Sequence, residues 1–288
     1  MLSCALFGTI SGSPMSNVVT SGSITIPAMI ETGFPPAKAA AFTTCAATGG
    51  VLMPPIMGAV AFIMASHLGI SYADVALAAV IPSLLYYMSL FFQIDNYVLK
   101  YNLVESGTDE IPTPIISTLK QGWAYILSFA VLIYVLFSLR MVSQAPFYAT
   151  AVLLALSAIQ GKLKLKDITL LIISTAKNLS TMVALLAGIG MVMGSITMTG
   201  IAATLSRELV LLAGGNTAVI LILGALASFI LGMGLTTTAC YILVGVVLAP
   251  ALVQQGFNEI AVHMFLLYWG VLSYITPPVA LAAFPAAS

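Results

Sequence analysis

The sequence predicts an all-α integral membrane protein with an inverted-repeat fold of two re-entrant helical hairpins and two broken transmembrane helices. Three observations lead there. Hydrophobic residues make up 60% of the chain and charged ones only 6%, with a mean hydropathy of +1.11, whereas a soluble domain carries about a quarter charged residues. No charge interrupts the stretch from Lys38 to Asp74 or that from Glu208 to Glu259, and both exceed the ~20 apolar residues that one crossing needs. A constant shift of 223 residues also aligns the two ends of the chain.

At that shift Gly22 falls on Gly245, Pro27-Ala28 on Pro250-Ala251, Gly33-Phe34 on Gly256-Phe257, Phe42 on Phe265 and Pro54-Pro55 on Pro277-Pro278. Each copy has an apolar run, a Gly/Ser/Thr cluster, a second apolar run, a Gly-Phe turn and a helix interrupted before Pro-Pro. In the second copy the two runs are Asn216 to Leu231 and Ala239 to Gln254. Helices of that length reach only ~24 Å and fall short of a ~30 Å hydrocarbon core. A hairpin that enters and leaves by the same face fits better than two spans. The counterpart of Asn216 would precede Met1, so the first hairpin lacks most of its first arm and the chain reads as a fragment.

Between the copies the expected spans are Pro54 to His67, continuing a broken helix from Ala37, then Ala73 to Tyr97, Gly122 to Leu139, Ala145 to Gln160 and Ile168 to Thr197. An odd number of crossings separates the hairpins, so they enter from opposite faces, as in the inverted repeats of secondary transporters. The resulting domains are a first repeat over 1–99, a connector over 100–120, connecting spans over 121–215 and a second repeat over 216–288. Lys38, Lys100, Lys120, Lys162, Lys164 and Lys166 share one face, while the other shows Arg140 and Arg207. The lysine-rich face is therefore cytoplasmic.

Nine acidic and nine basic residues balance to zero, which leaves no basic face for nucleic acid. Cys4, Cys45 and Cys240 stand singly and suggest neither a disulfide framework nor a zinc site. Lys177 reads as a snorkelling side chain, His67 and His263 as interfacial residues, and Tyr86 and Tyr87 as belt or packing aromatics. Asp74, Asp95, Asp109 and Asp167 fall at span ends or loops and His263 has no evident serine partner. An intramembrane hydrolase, which needs a paired nucleophile and base, is thus a remote alternative.

The chemistry sits in the polar breaks. Gly8 to Asn17 interrupts an apolar stretch, and backbone broken at membrane depth must face protein or a wet cavity. Neutral oxygens from Ser11, Ser13, Ser16 and Asn17 suit a hard cation, and freed helix N-termini suit a carboxylate. Thr48-Gly49-Gly50 before Pro54-Pro55, Gly232 to Thr238, and Ser273 to Thr276 before Pro277-Pro278 repeat the pattern. Small residues that only permit close helix packing are the competing explanation.

These motifs carry a family resemblance. Gly8-Thr9-Ile10-Ser11-Gly12-Ser13, Asn17 to Gly22, Ile26-Pro27, Ala47-Thr48-Gly49-Gly50 and Met53 to Gly58 resemble the large membrane subunit of tripartite ATP-independent periplasmic (TRAP) transporters, particularly permeases with fused small and large subunits. Gly232 to Tyr241 and Ile275-Thr276-Pro277-Pro278 resemble the second hairpin and broken helix of that family, with Thr236 standing where relatives commonly have Pro. The resemblance implies import of organic anions, usually carboxylates, into a bacterial or archaeal cell across its inner membrane. It further implies Na⁺ as coupling ion with no other cofactor, a periplasmic solute-binding protein, a small membrane subunit and an elevator motion. It assigns Ser11, Gly12, Ser13 and Asn17 to the first tip, Thr48 and Gly49 to the facing break, and Gly232, Thr236, Thr237, Ser273 and Thr276 to the second half-site. Ser13, Thr48, Thr237 and Thr276 become the expected Na⁺ ligands. A binding-protein-independent carboxylate or anion symporter stays open as the alternative within transport.

The expected orientation is testable with impermeant thiol reagents applied from outside. A cysteine at position 207 should label and one at 164 should not; strong outside labelling at 164 reverses the topology.

Overall fold

The computed structural model describes residues 1–103, 115–161 and 163–287. Most of the polar connector, over 104–114, and Lys162 lie outside the described residues. The described residues form helices joined by turns, with no strand. They fall into two compact units, one of Met1–Ile70, Asp74–Ser106 and Ile189–Ser288, the other of Ser71–Ala73 and Gly107–Gly188.

The helices run in order as α1 Leu2–Ser11, α2 Pro14–Glu31, α3 Pro36–Gly50, α4 Gly58–Leu68, α5 Tyr72–Tyr101, α6 Ile115–Phe137 and α7 Ala145–Ile159. They continue as α8 Leu165–Thr199, α9 Ile201–Leu212, α10 Thr217–Gly232, α11 Thr237–Val247, α12 Ala249–Val253, α13 Glu259–Leu272 and α14 Phe284–Ala287. Two are long and apolar enough to cross a membrane, over 72–101 and 166–196. The most apolar stretch of the latter buries none of its residues within the chain. A helix that is hydrophobic all round and unburied in its own protein belongs in lipid or against further apolar protein. Together with the composition, this makes the chain a multi-pass membrane protein.

The expected spans between the copies coincide with helices α4 to α8, with α4 beginning at Gly58 instead of Pro54 and α6 at Ile115 instead of Gly122, and two further details differ. Gly200, at φ 68°, ends α8, and a further amphipathic helix, α9, follows where no element was expected. The second hairpin arm, expected as one run to Gln254, stops at Val247 and resumes as α12. Pro250 has no N–H for the carbonyl of Val246, so the ladder cannot pass through it unbroken.

The larger unit holds two similarly built bundles. In one, α1 and α2 pack against α3; in the other, α10 and α11 pack against α13. Their local conformations coincide at the 223-residue shift. Gly33 and Gly256 have φ of 94° and 88°, while Met57 and Ala280 have φ of 56° and 48°. Helices α3 and α13 start at the matching Pro36 and Glu259. Ser13 and Thr236 are both extended N-caps, whose hydroxyls accept from the matching N–H groups of Ser16 and Ala239. Such caps recur because the first turn of a helix leaves N–H groups without partners. The Pro54-Pro55 and Pro277-Pro278 bonds are both cis.

The bundles also exchange their trailing segments. Helix α4, which follows α3, packs on α11 and α13 of the other bundle. Reciprocally, α14 packs on α2 and α3, and Tyr274 and Ala282 share a buried cluster with Val18 and Ala47. In the smaller unit α6 packs along α7, and Ser128 donates to the carbonyl of Ala149 at 2.6 Å.

Glycine lets the first bundle close. A Cβ on Gly12 would lie 2.6 Å from Gly58 Cα, and one on Gly8 would lie 2.6 Å from Gly50 Cα. Gly12 and Gly58 also sit at φ of 62° and 61°, where side chains are disfavoured. Gly58→Ala should therefore destabilise the purified protein by about 1–3 kcal/mol. Gly122→Ala, with open space around it, should leave thermal unfolding unchanged or slightly higher. Equal melting temperatures for the two variants would refute the close-approach account.

Candidate functional site

The helices of each bundle stop where polar residues begin. Between α3 and α4 the chain crosses residues 51–57 without helical structure, and after α13 it does so from Ser273 to Ala283. Irregular backbone among apolar helices needs internal partners. Thr9 of α1 supplies them for the first link: its Oγ1 donates to the Met53 carbonyl at 2.7 Å and accepts from the N–H groups of Ile56 at 3.0 Å and Met57 at 3.1 Å. Tyr274 does the corresponding work for the second tip, donating through its hydroxyl to the Leu235 carbonyl at 2.7 Å.

Asn17 is fully buried in α2 and ties three helices together. Its Nδ2 donates to the carbonyls of Cys4 at 2.7 Å and Ala47 at 3.0 Å, and its Oδ1 accepts from the Ser21 hydroxyl at 2.8 Å. Asn17 thus serves as a structural bracket with both amide donors engaged. At the matching place in the second bundle, Cys240 Sγ points to the Ser228 carbonyl at 3.8 Å. A Cβ on Gly270, the counterpart of Ala47, would come 2.7 Å from that sulfur.

The two tips meet directly. Thr237, 5% exposed at the start of α11, donates through Oγ1 to the Gly12 carbonyl at 3.2 Å. Around this contact stand Ser11 and Ser13, half-buried and joined by the Ser13 N–H to Ser11 Oγ at 3.5 Å, and the exposed N-cap Thr236. Of the remaining hydroxyls, Thr48 sits near the end of α3, and Ser273 and Thr276 stand in the link just after α13. Thr48 donates to Thr44 O at 2.9 Å, Ser273 to Gly270 O at 2.6 Å and Thr276 to Leu272 O at 2.8 Å. In each case the proton is committed to the helix and the oxygen keeps lone pairs for an acceptor role. No hydrogen bond joins Ser13 to Thr48 or Thr237 to Thr276.

The expected site glycines have packing roles. The ring of Tyr86 lies over Gly49, where a Cβ would come within 2.7 Å of Cδ1. Gly232 faces the Gly270 carbonyl, and a Cβ there would meet Ser273 Oγ at 2.7 Å. Tyr86 and Tyr87, expected as belt or packing aromatics, also donate to the carbonyls of Cys45 at 2.8 Å and Ala46 at 2.7 Å, just ahead of Thr48. His263, expected at an interface, is instead 2% exposed and bonded to Tyr241. The sequence carried one usable sign of Thr9, its place inside the Gly/Ser cluster. The tyrosines carried none, because their partners lie 41 positions away.

Thr9→Val keeps the side-chain shape and removes three hydrogen bonds to buried backbone. It should cost about 1–3 kcal/mol per group left without a partner. Thr276→Val, losing a single bond to the Leu272 carbonyl at the end of α13, should cost about 0.6 kcal/mol. Thermal unfolding of the two proteins side by side measures the difference, and similar losses would show that Thr9 is not the clasp.

Comparison with known proteins places this geometry. A family model described as tripartite ATP-independent periplasmic transporter, DctM component, matches residues 1–288. The isethionate TRAP transporter permease protein DctMQ of Oleidesulfovibrio alaskensis is 24% identical over 289 residues, covering 98% of this chain and 44% of that protein. A putative TRAP transporter large permease protein of Haemophilus influenzae is 23% identical across 97% of this chain and 65% of its own length. The C4-dicarboxylate TRAP transporter large permease protein DctM of Pseudomonas aeruginosa is 36% identical over 85 residues, which is 30% of this chain and 19% of that protein. The chain thus spans less than two thirds of each of these relatives. Its motifs, helical build and full-length family match agree, and the chain belongs to the DctM component family of TRAP transporters, whose members are permeases and not enzymes.

Proposed function

We propose that this chain forms the translocating core of a Na⁺-coupled importer of small organic anions, with the polar contact between Gly12 and Thr237 at its centre. The observation that carries the reading is the Thr237 Oγ1 bond to Gly12 O. It joins the N-terminal ends of α2 and α11, two helix starts with positive dipole ends and N–H groups suited to an anion. Hydroxyl oxygens from Ser13, Thr48, Thr237 and Thr276 are the proposed Na⁺ ligands. Gly12 and the link backbone contribute carbonyls, in keeping with the all-oxygen shells of hard cations.

The matched local conformations at the 223-residue shift support two inverted repeats, each a re-entrant hairpin followed by a broken helix. In this reading, α1–α2 and α10–α12 are the hairpins, and α3–α4 and the segment from α13 to α14 are the broken helices. Substrate and ion then bind near the membrane midplane, where the unwound segments of such repeats meet. The larger unit moves as an elevator against a scaffold. Isethionate and C4-dicarboxylates, the compounds in the relatives' names, share a small anionic character. The substrate class is accordingly an organic anion, with carboxylates first. A periplasmic solute-binding protein delivers it, and a small membrane subunit, fused in a relative named DctMQ, completes the permease in the bacterial or archaeal inner membrane.

Uptake by the complete permease with its binding protein, reconstituted in proteoliposomes and measured against external Na⁺, tests this. Thr237→Ala and Ser13→Ala should raise the Na⁺ needed for half-maximal uptake several-fold at unchanged protein yield, because an ion site with five or six oxygens has few to spare. Full uptake without a Na⁺ gradient, or unchanged Na⁺ dependence in both variants, would assign these hydroxyls to packing alone. Uptake that persists without a binding protein would favour the binding-protein-independent symporter.

A further inference from the structure

We propose that His67 and His263 form a binding site for a divalent transition-metal ion of the imidazole-preferring class, such as Zn²⁺ or Ni²⁺, which bridges α4 to α13. The two rings lie with centroids 5.5 Å apart and planes tilted by 58°. Two imidazoles sharing one tetrahedral ion, at Zn–N distances of about 2.0–2.1 Å, hold their ring centres roughly 5–6 Å apart. The observed centroid separation falls within that range. These are the two histidines of the chain, brought from opposite ends of the sequence to one place.

The surroundings fix which nitrogen is available. Tyr241 Oη lies 3.0 Å from His263 Nδ1. A Cβ on Gly245 would lie 3.4 Å from both Nδ1 and Cε1. That ring edge is turned toward α11, and Nε2 is the nitrogen that Tyr241 leaves free. With a metal on Nε2, the Nδ1–H donates to the tyrosine oxygen, the orienting contact that metal-bound histidines generally require. His263 is buried and held, whereas His67, in the last turn of α4, is exposed on the surface of the chain. Glu259 stands one turn before His263, at the start of α13. Among the described residues no group of three His, Cys, Asp or Glu side chains forms a metal site. The pair thus supplies two ligands and water the others, which makes the ion exchangeable rather than structural.

An ion held there pins the trailing helix of one bundle to the core of the other, and α4 already packs on α11 and α13. The consequence is a rigidified pair of helices.

The test is a titration of the full-length permease in lipid nanodiscs with ZnCl₂ and NiCl₂ at pH 7.5. MgCl₂ is the control, and equilibrium binding and thermal unfolding are the readouts. Wild type should bind one ion saturably and melt at a higher temperature, and Mg²⁺ should do neither. His67→Ala changes an exposed side chain and should fold normally, with affinity at least tenfold weaker. Tyr241→Phe, which removes only the orienting hydroxyl, should weaken binding by 10-fold or more if it follows other metal sites, and His263→Gln should abolish it. Absence of binding to wild type overturns the proposal, as does undiminished binding to His67→Ala. The outcome is independent of Na⁺-coupled uptake.

Discussion

Backbone that leaves helical form inside an apolar layer must find its hydrogen bonds within the protein, because lipid offers none. The larger unit is organised around that requirement. Thr9 closes three bonds across the link between α3 and α4, Asn17 brackets α1, α2 and α3, and Tyr274 holds the tip before α11. Only when these are satisfied can the chain afford two non-helical links beside a polar contact. The glycines serve the same end, since Gly8 against Gly50 and Gly12 against Gly58 bring backbones close enough for Thr9 to reach.

The two bundles solve one geometric problem with different side chains. The hydroxyl caps at Ser13 and Thr236 and the left-handed turns at Gly33 and Gly256 and at Met57 and Ala280 match at the 223-residue shift, but the bracket does not: a buried amide at position 17 corresponds to a thiol at 240. The amide donates twice to carbonyls, whereas the thiol is a weak donor to one. The first bundle is therefore tied more tightly at this level. Gly270 compensates in the second, where α13 approaches α11 closely enough that a Cβ would crowd the sulfur.

The exchange of trailing segments gives the unit its cohesion. It adds to the contact between Thr237 and Gly12, which joins the two groups directly. With α4 lying on α11 and α13, and Tyr274 and Ala282 buried beside Val18 and Ala47, each group completes the other's core. The histidine pair lies in this same seam, between α4 and α13.

By itself the sequence determined the membrane class, the duplication and the places where helices stop. Each depends on local composition or on residues whose backbone preferences act within a few positions, as with Ser13, Gly33, Pro54 and Thr236. The helices from α4 to α8 were legible for the same reason, since an apolar run bounded by charges has one reading in a bilayer. Where Pro250 breaks α11 and Gly200 separates α8 from α9, the local rule was present but the surrounding apolar run masked it. Tertiary structure alone decided the partners. That Thr9 clasps residues 53–57, that Thr237 reaches Gly12 and that His263 is buried against Tyr241 and His67 depend on contacts between distant parts of the chain. Periodicity reports which residues face inward and is silent on what they meet, because a hydroxyl or an imidazole acquires its role from the group that folding places within about 3 Å of it.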